Sequence, residues 1–181
     1  MNIKLLRTLI ISSLILAMSF ALAQGKEKKI EIPLTSPSFN DGEMMPDKYA
    51  YHSGNVSPAL TWSNIPKKAK TLAIICDDPD APDSWVHWII FNISATEKGL
   101  PEKIAKQEMA NNKTLQGKND FGNIGYDGPS PPHGTHRYFF KIYALDTELY
   151  LNPGASKAQL LKAMEGHILA HGELVGKYAN K

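Results

Sequence analysis

Apolar and polar positions alternate with a period of two over several short stretches, separated by segments rich in Pro, Gly, Ser and Asn. Lys29 to Leu34 reads as a first strand and Leu60 to Trp62 as a short one. Thr71 to Cys76 is β-branched and apolar enough to be a central strand. Trp85 to Asn92 (WVHWIIFN) is too short and too uniformly apolar for a half-exposed helix. Taken as a strand, it puts His87, Ile89 and Phe91 on one face and Trp88 and Ile90 on the other. From His136 to Leu145, alternation sets His136, Tyr138, Phe140 and Ile142 against Arg137, Phe139 and Lys141. Glu97 to Asn112 stays ambiguous, with one irregular helix after Pro101 as one reading. A single well-marked helix comes late: Ser156 fits an N-cap, and Leu160, Leu161, Met164 and Ile168 recur at helical spacing. Gly172 would end it, and Glu173 to Tyr178 would return as a final strand. Many short strands with a late helix and long Pro/Gly-rich loops predict a mostly β, sandwich-like domain.

The first segment changes how composition is read. Lys4 and Arg7 precede an uncharged apolar run from Leu9 to Phe20, and Ala21-Leu22-Ala23 supplies small residues where a signal peptidase reads. The run is short of the roughly 20 residues that span a membrane. Residues 1–23 are therefore expected to be a signal peptide cleaved before Gln24, leaving residues 24–181 as one domain in the periplasm or secreted. With Lys4 and Arg7 removed, the 20 basic residues of the chain fall to 18, level with its 18 acidic ones. A neutral domain lacks the positive footprint that nucleic-acid binding requires. Cys76 stands alone, so no intramolecular disulfide forms, and its place at the end of an apolar run fits a buried small hydrophobe.

Chemistry-bearing residues cluster beside the strands. Asp77-Asp78-Pro79-Asp80-Ala81-Pro82-Asp83-Ser84 is a turn made of turn-forming residues. Asp78 and Asp80 lie just past one strand end, His87 near the start of the next, and His136 and Tyr138 at the start of a third. Neighbouring strands would bring them to one rim. Imidazole and phenol offer directional donors to an oxyanion, and a carboxylate can hold an imidazole in one tautomer. Gly128 and Gly134 would let a ligand approach backbone N–H groups. By alternation Arg137 points away and reads as structural, pairing with an acidic loop residue. His133 reads as exposed, and His167 and His171 as helical and remote.

These segments resemble a known family. Asp78-Pro79-Asp80-Ala81-Pro82 followed by Trp85-x-His87 is similar to the first signature of the phosphatidylethanolamine-binding proteins. Gly128-Pro129-Ser130-Pro131-Pro132-x-Gly134-x-His136-Arg137-Tyr138 is similar to the second. Asn55-Val56-Ser57-Pro58, Asn119-Asp120-Phe121-Gly122 and Glu173-Leu174-Val175-Gly176 resemble its bacterial, Raf-kinase-inhibitor-like branch. The resemblance implies two antiparallel sheets in a Greek-key arrangement with a helix against one side. It also implies a pocket for phosphate-like and carboxylate-like groups, phospholipid headgroups included. The matching ligand-binding positions are Asp78, His87, His136 and Tyr138, with Trp85 and Pro131 as walls, and a cis peptide before Pro82 would aim Asp78 inward. Two departures stand out. Val86 replaces a second histidine common in eukaryotic members, and no C-terminal helix covers the pocket, so kinase regulation by a lid is a poor inference.

A binding module for a small anion, with Asp78, Asp80, His87, Trp85, Pro131, His136 and Tyr138 as its site, is the leading expectation. It assigns no cofactor and no metal, and leaves room for peripheral membrane contact. A metal-assisted or histidine-based hydrolase is an alternative, although Ser84 and Ser130 are turn residues with no nucleophile setting. An inhibitor of an extracytoplasmic protease, or another interaction protein, is a third.

Overall fold

The computed structural model describes residues 30–108 and 113–180, so the segment read as a signal peptide and its cleavage point lie outside the described residues. In chain order the elements are β1 (Ile30–Glu31), β2 (Leu34–Thr35), β3 (Leu60–Trp62), β4 (Thr71–Asp78), β5 (Trp85–Ser94) and β6 (Gly99–Leu100). They continue with β7 (Leu115–Gln116), β8 (Thr135–Leu145), the helix α1 (Lys157–Met164) and β9 (Ile168–Ala179). One sheet has the order β1-β9-β8-β4-β5-β7 and the other β2-β3-β6. Pairing is antiparallel apart from the short β1–β9 contact. After the long loop, β8 returns to lie beside β4, a Greek-key connection.

The large sheet is covered on both faces, which is why β4 and β5 carry apolar residues almost without interruption. Its inner face packs Leu72, Ile74, Cys76, Trp88 and Phe140 against Leu34, Leu60 and Trp62 of the small sheet. Its outer face buries Ala73, Ile75, Ile89 and Phe91 under Leu160 and Met164 of α1. Each of these helix anchors is fully buried, and burial of such a side chain stabilises by roughly 1.5–3 kcal/mol. Ser156 Oγ accepts from Gln159 N–H while the Gln159 side chain accepts from Ser156 N–H, a capping box worth about 1 kcal/mol. Asp77 ties the helix to the sheet. It is buried on the outer face between Lys141 of β8 at 2.7 Å and Lys157 of α1 at 2.5 Å.

Several expectations change. The helix stops at Met164 rather than Gly172, because Gly166 takes the left-handed φ of 78° that a helix end favours. Ile168 then opens β9, so His171 lies on that strand and His167 in the turn before it, bonded to Asp146 at 2.8 Å. The stretch read as a first strand is, from Ile30 on, two strands in different sheets, with Ile32-Pro33 between them. Among the described residues, 97–108 form no helix; the only regular element there is the two-residue β6. No cis peptide occurs among the described residues, so the Ala81–Pro82 bond is trans. The chain turns instead through two consecutive left-handed residues, Asp83 (φ 60°) and Ser84 (φ 56°).

Candidate functional site

Three neighbouring strands bring the expected polar groups together. Asp78 ends β4, His87 lies near the start of β5, and His136 and Tyr138 open β8. Their side chains line one cavity of about 230 Å³, walled by Trp85, Phe121 and the prolines 82, 131 and 132. The face of His87 differs from simple alternation. Asp77 pairs with Val86 and Cys76 with Trp88, so His87 is the extra residue of a β-bulge. Val86 therefore shares the outer face with Ile89 and Phe91. The His87 ring is turned to the inner side, edge-on to Tyr138 with centroids 5.1 Å apart.

Each polar group has its own support. Asp78 Oδ1 accepts from the N–H groups of Asp80 at 2.9 Å and Ala81 at 3.2 Å, an Asx turn that fixes the carboxylate. Its Oδ2 accepts from His136 Nδ1 at 2.7 Å. His87 Nδ1 donates to the Asp127 carbonyl oxygen at 2.7 Å. Burial pulls the His87 imidazole below its ordinary pKa, against the opposing effects of that carbonyl and of the Asp78 charge. Tyr138 is 1% exposed, and its hydroxyl is the one buried side-chain polar atom without a hydrogen bond among the described residues. The Ser130 N–H lies near it without reaching bonding geometry. Burial first, and the Asp78 charge second, push the Tyr138 phenol well above its ordinary value, so it stays a donor.

Asp80, expected in the site, does not line the cavity. Arg137 donates to it from Nε at 2.9 Å and from Nη2 at 2.7 Å, and the Arg137 N–H adds a third bond. That fork holds the Asp80 carboxyl down at about 2. The structural role read for Arg137 therefore extends to Asp80. The two glycines also differ from expectation. The Gly128 N–H donates to Asn55 Oδ1, and a Cβ there would stand 1.8 Å from the Tyr49 carbonyl oxygen. Gly134 turns the chain into β8 with φ 67°, and neither glycine lines the cavity.

Two supports were not foreseen as such. Phe121 closes one wall, stacked on Tyr51 at 4.7 Å and edge-on to Trp85 and His87. Asp127 is buried among the amides of Asn55, Asn119 and Asn123 and the ammonium of Lys106. Burial pushes its carboxyl up, but Lys106 and the three amides outweigh this and hold it below the usual range. The cluster anchors the backbone carbonyl that orients His87. Asn55, Asn119 and Phe121 stand in segments whose family resemblance was visible, but nothing in them named a role.

Among the described residues, no three His, Cys, Asp or Glu side chains gather closely enough to hold a metal ion. A larger cavity of about 530 Å³ opens at the opposite ends of β4 and β5, beside Lys70, Thr71, Asn92 and Glu148. Two of its buried polar side chains are spent on the fold: Thr71 donates to the Thr147 carbonyl, and Asn92 bonds both the N–H and C=O of Leu149. The smaller cavity holds the unpaired donor.

Residues 35–179 match the family described as phosphatidylethanolamine-binding protein. A UPF0098 protein of Methanothermobacter thermautotrophicus is 50% identical over 146 residues, covering 80% of this chain and 97% of the relative. The crystal structure of CT736 from Chlamydia trachomatis, described as a homologue of that family, superposes with a TM-score of 0.75 at 40% identity, covering 83% of this chain and 99% of the other. Escherichia coli YbcL, described as a member of the mammalian family, gives a TM-score of 0.77 at 33% identity, covering 84% and 100%.

Proposed function

The chain belongs to the phosphatidylethanolamine-binding protein family, whose members are generally ligand-binding proteins, and from that premise we propose that it binds small oxyanions in the cavity of His87, His136 and Tyr138. Phosphate or carboxylate groups are the ligand class, phospholipid headgroups among them. One observation carries this reading: a buried phenol with no hydrogen-bond partner faces two imidazoles whose Nδ1 atoms are already held from behind. A polar group left unpaired in a folded core costs about 1–3 kcal/mol, and a ligand oxygen would recover it. Asp78 acts as a positioning residue for His136, since its oxygens are occupied by His136 and two backbone N–H groups. Trp85, Phe121 and Pro131 supply an apolar collar that suits an anion attached to an organic group.

Calorimetry with phenyl phosphate on the unaltered protein and on His136→Ala tests the assignment. Loss of affinity in the variant supports it, and equal affinities remove His136 from the site. Export completes the proposal: cleavage near Ala23-Gln24 would leave the protein in the periplasm or secreted. N-terminal sequencing of the protein recovered from the cell envelope and from the medium reads both points, and an intact Met1 would refute cleavage.

A further inference from the structure

The hydrogen atoms of this cavity are placed by its own bonds. The Asp127 carbonyl only accepts, so His87 Nδ1 carries the hydrogen, and the neutral ring keeps a lone pair at Nε2. The same tautomer holds for His136 as long as Asp78 is ionised. Neutral imidazoles therefore meet an incoming anion with lone pairs, and lone pairs repel it. Burial favours that neutral state at His87.

Among the described residues, no Lys or Arg lines the cavity to relieve the repulsion. From β4, His87 faces the Asp78 carboxylate, and from β8 the Tyr138 phenol. From the loop before β8 it faces Asp127, whose charge is matched by Lys106. His136 faces Asp78, the exposed His133 ring at 6.4 Å, an Asp80 whose charge is spent on Arg137 and, from β9, its cross-strand partner Tyr178, a phenol and not a cation. Lys106 and Arg137 are thus both committed, and neither lines the cavity. The charge that balances an anion must arrive as a proton.

Building on the anion-binding reading, we propose that the pocket takes up its oxyanion together with one proton, held between a ligand oxygen and Nε2 of His87 or His136. The proton comes from solvent or is the ligand's own acid hydrogen, and no other bond is made or broken. A selectivity follows. Phosphomonoesters accept a proton with a pKa of about 6 and can carry it in, whereas sulfate esters of the same shape stay ionised throughout this range. At and above neutral pH the site therefore favours oxyanions that protonate there, while carboxylates, phosphodiester headgroups and sulfate esters must draw the proton from solvent and bind better as pH falls.

Calorimetry with phenyl phosphate and phenyl sulfate, at pH 5.5 and 7.5 and in two buffers of different ionisation enthalpy, tests this. At pH 7.5 the expected result is uptake of about one proton per phenyl phosphate, with affinity falling close to tenfold per pH unit above that pH. Phenyl sulfate is expected to bind at pH 5.5 and to be at least tenfold weaker than phenyl phosphate at pH 7.5. Binding without proton uptake, or equal affinity for the two anions at pH 7.5, overturns the coupling and leaves the anion-binding reading standing. Failure of both anions to bind at pH 5.5 overturns the reading itself.

Discussion

Tyr138→Phe removes a single oxygen atom, and stability and affinity should move in opposite directions. The side chain is 1% exposed and its hydroxyl is unpaired, so the free protein holds a polar atom in an apolar wall. Such a group costs about 1–3 kcal/mol. A cavity of about 230 Å³ has room for water, which puts the cost at the low end. The variant should therefore gain about 1 kcal/mol, which for a domain of this size raises Tm by roughly 2–4 °C. In the complex the same hydroxyl donates to an anion, and a hydrogen bond to a charged partner is worth about 1.5–3 kcal/mol. Affinity for phenyl phosphate should fall about 10- to 150-fold. Thermal unfolding followed by circular dichroism reads the first quantity and calorimetry the second. A variant that melts lower, or binds as tightly as the parent, refutes the role given to this hydroxyl.

Three further outcomes follow from the same contacts. Because burial lowers the His87 pKa, the unfolded chain takes up its proton first as pH falls below about 6.5. That residue's contribution to stability is then lost progressively until the folded-state pKa is passed, and is constant above about pH 7.5; urea melts at pH 7.5 and 5 should show a larger acid loss in the parent than in His87→Gln. Lys141→Met and Lys157→Met should each cost about 1 kcal/mol or less, since one cation remains on Asp77. The double variant strands a buried carboxylate and should cost about 3–5 kcal/mol, and additive losses in the same melts would contradict the shared pairing. Gly128→Ala forces a Cβ against the Tyr49 carbonyl and should destabilise by about 3 kcal/mol; an unchanged urea midpoint would show that the wall yields freely.

Strand positions were legible wherever one face of the chain differs from the other. From His136 to Ile142 each inward residue is buried and each outward one is more exposed, so alternation found His136 and Tyr138 on a shared face. It failed at His87, because β5 is apolar on both sides and a uniformly apolar run carries no mark of a bulge. Apolar spacing overextends the helix because Ile168 keeps its period, while the terminating signal is the nearer Gly166. Asp80 looked like a ligand because it stands beside Asp78. Its partner Arg137 is 57 positions away in sequence, and only the pairing of β4 with β8 brings the two together. The Asp127 cluster was invisible for the same reason. Its members come from residues 55, 106, 119 and 123, and no local pattern announces a carboxylate shared by four donors.

Crystals grown without phosphate and then soaked in phenyl phosphate give the most direct measurement. The phosphoryl group should lie within hydrogen-bond distance of Tyr138 Oη and of at least one imidazole Nε2, with the phenyl ring against Trp85, Phe121 or Pro131. Phenyl phosphate absent from this cavity, or seated instead beside Lys70 and Glu148 at the far ends of β4 and β5, would contradict the account.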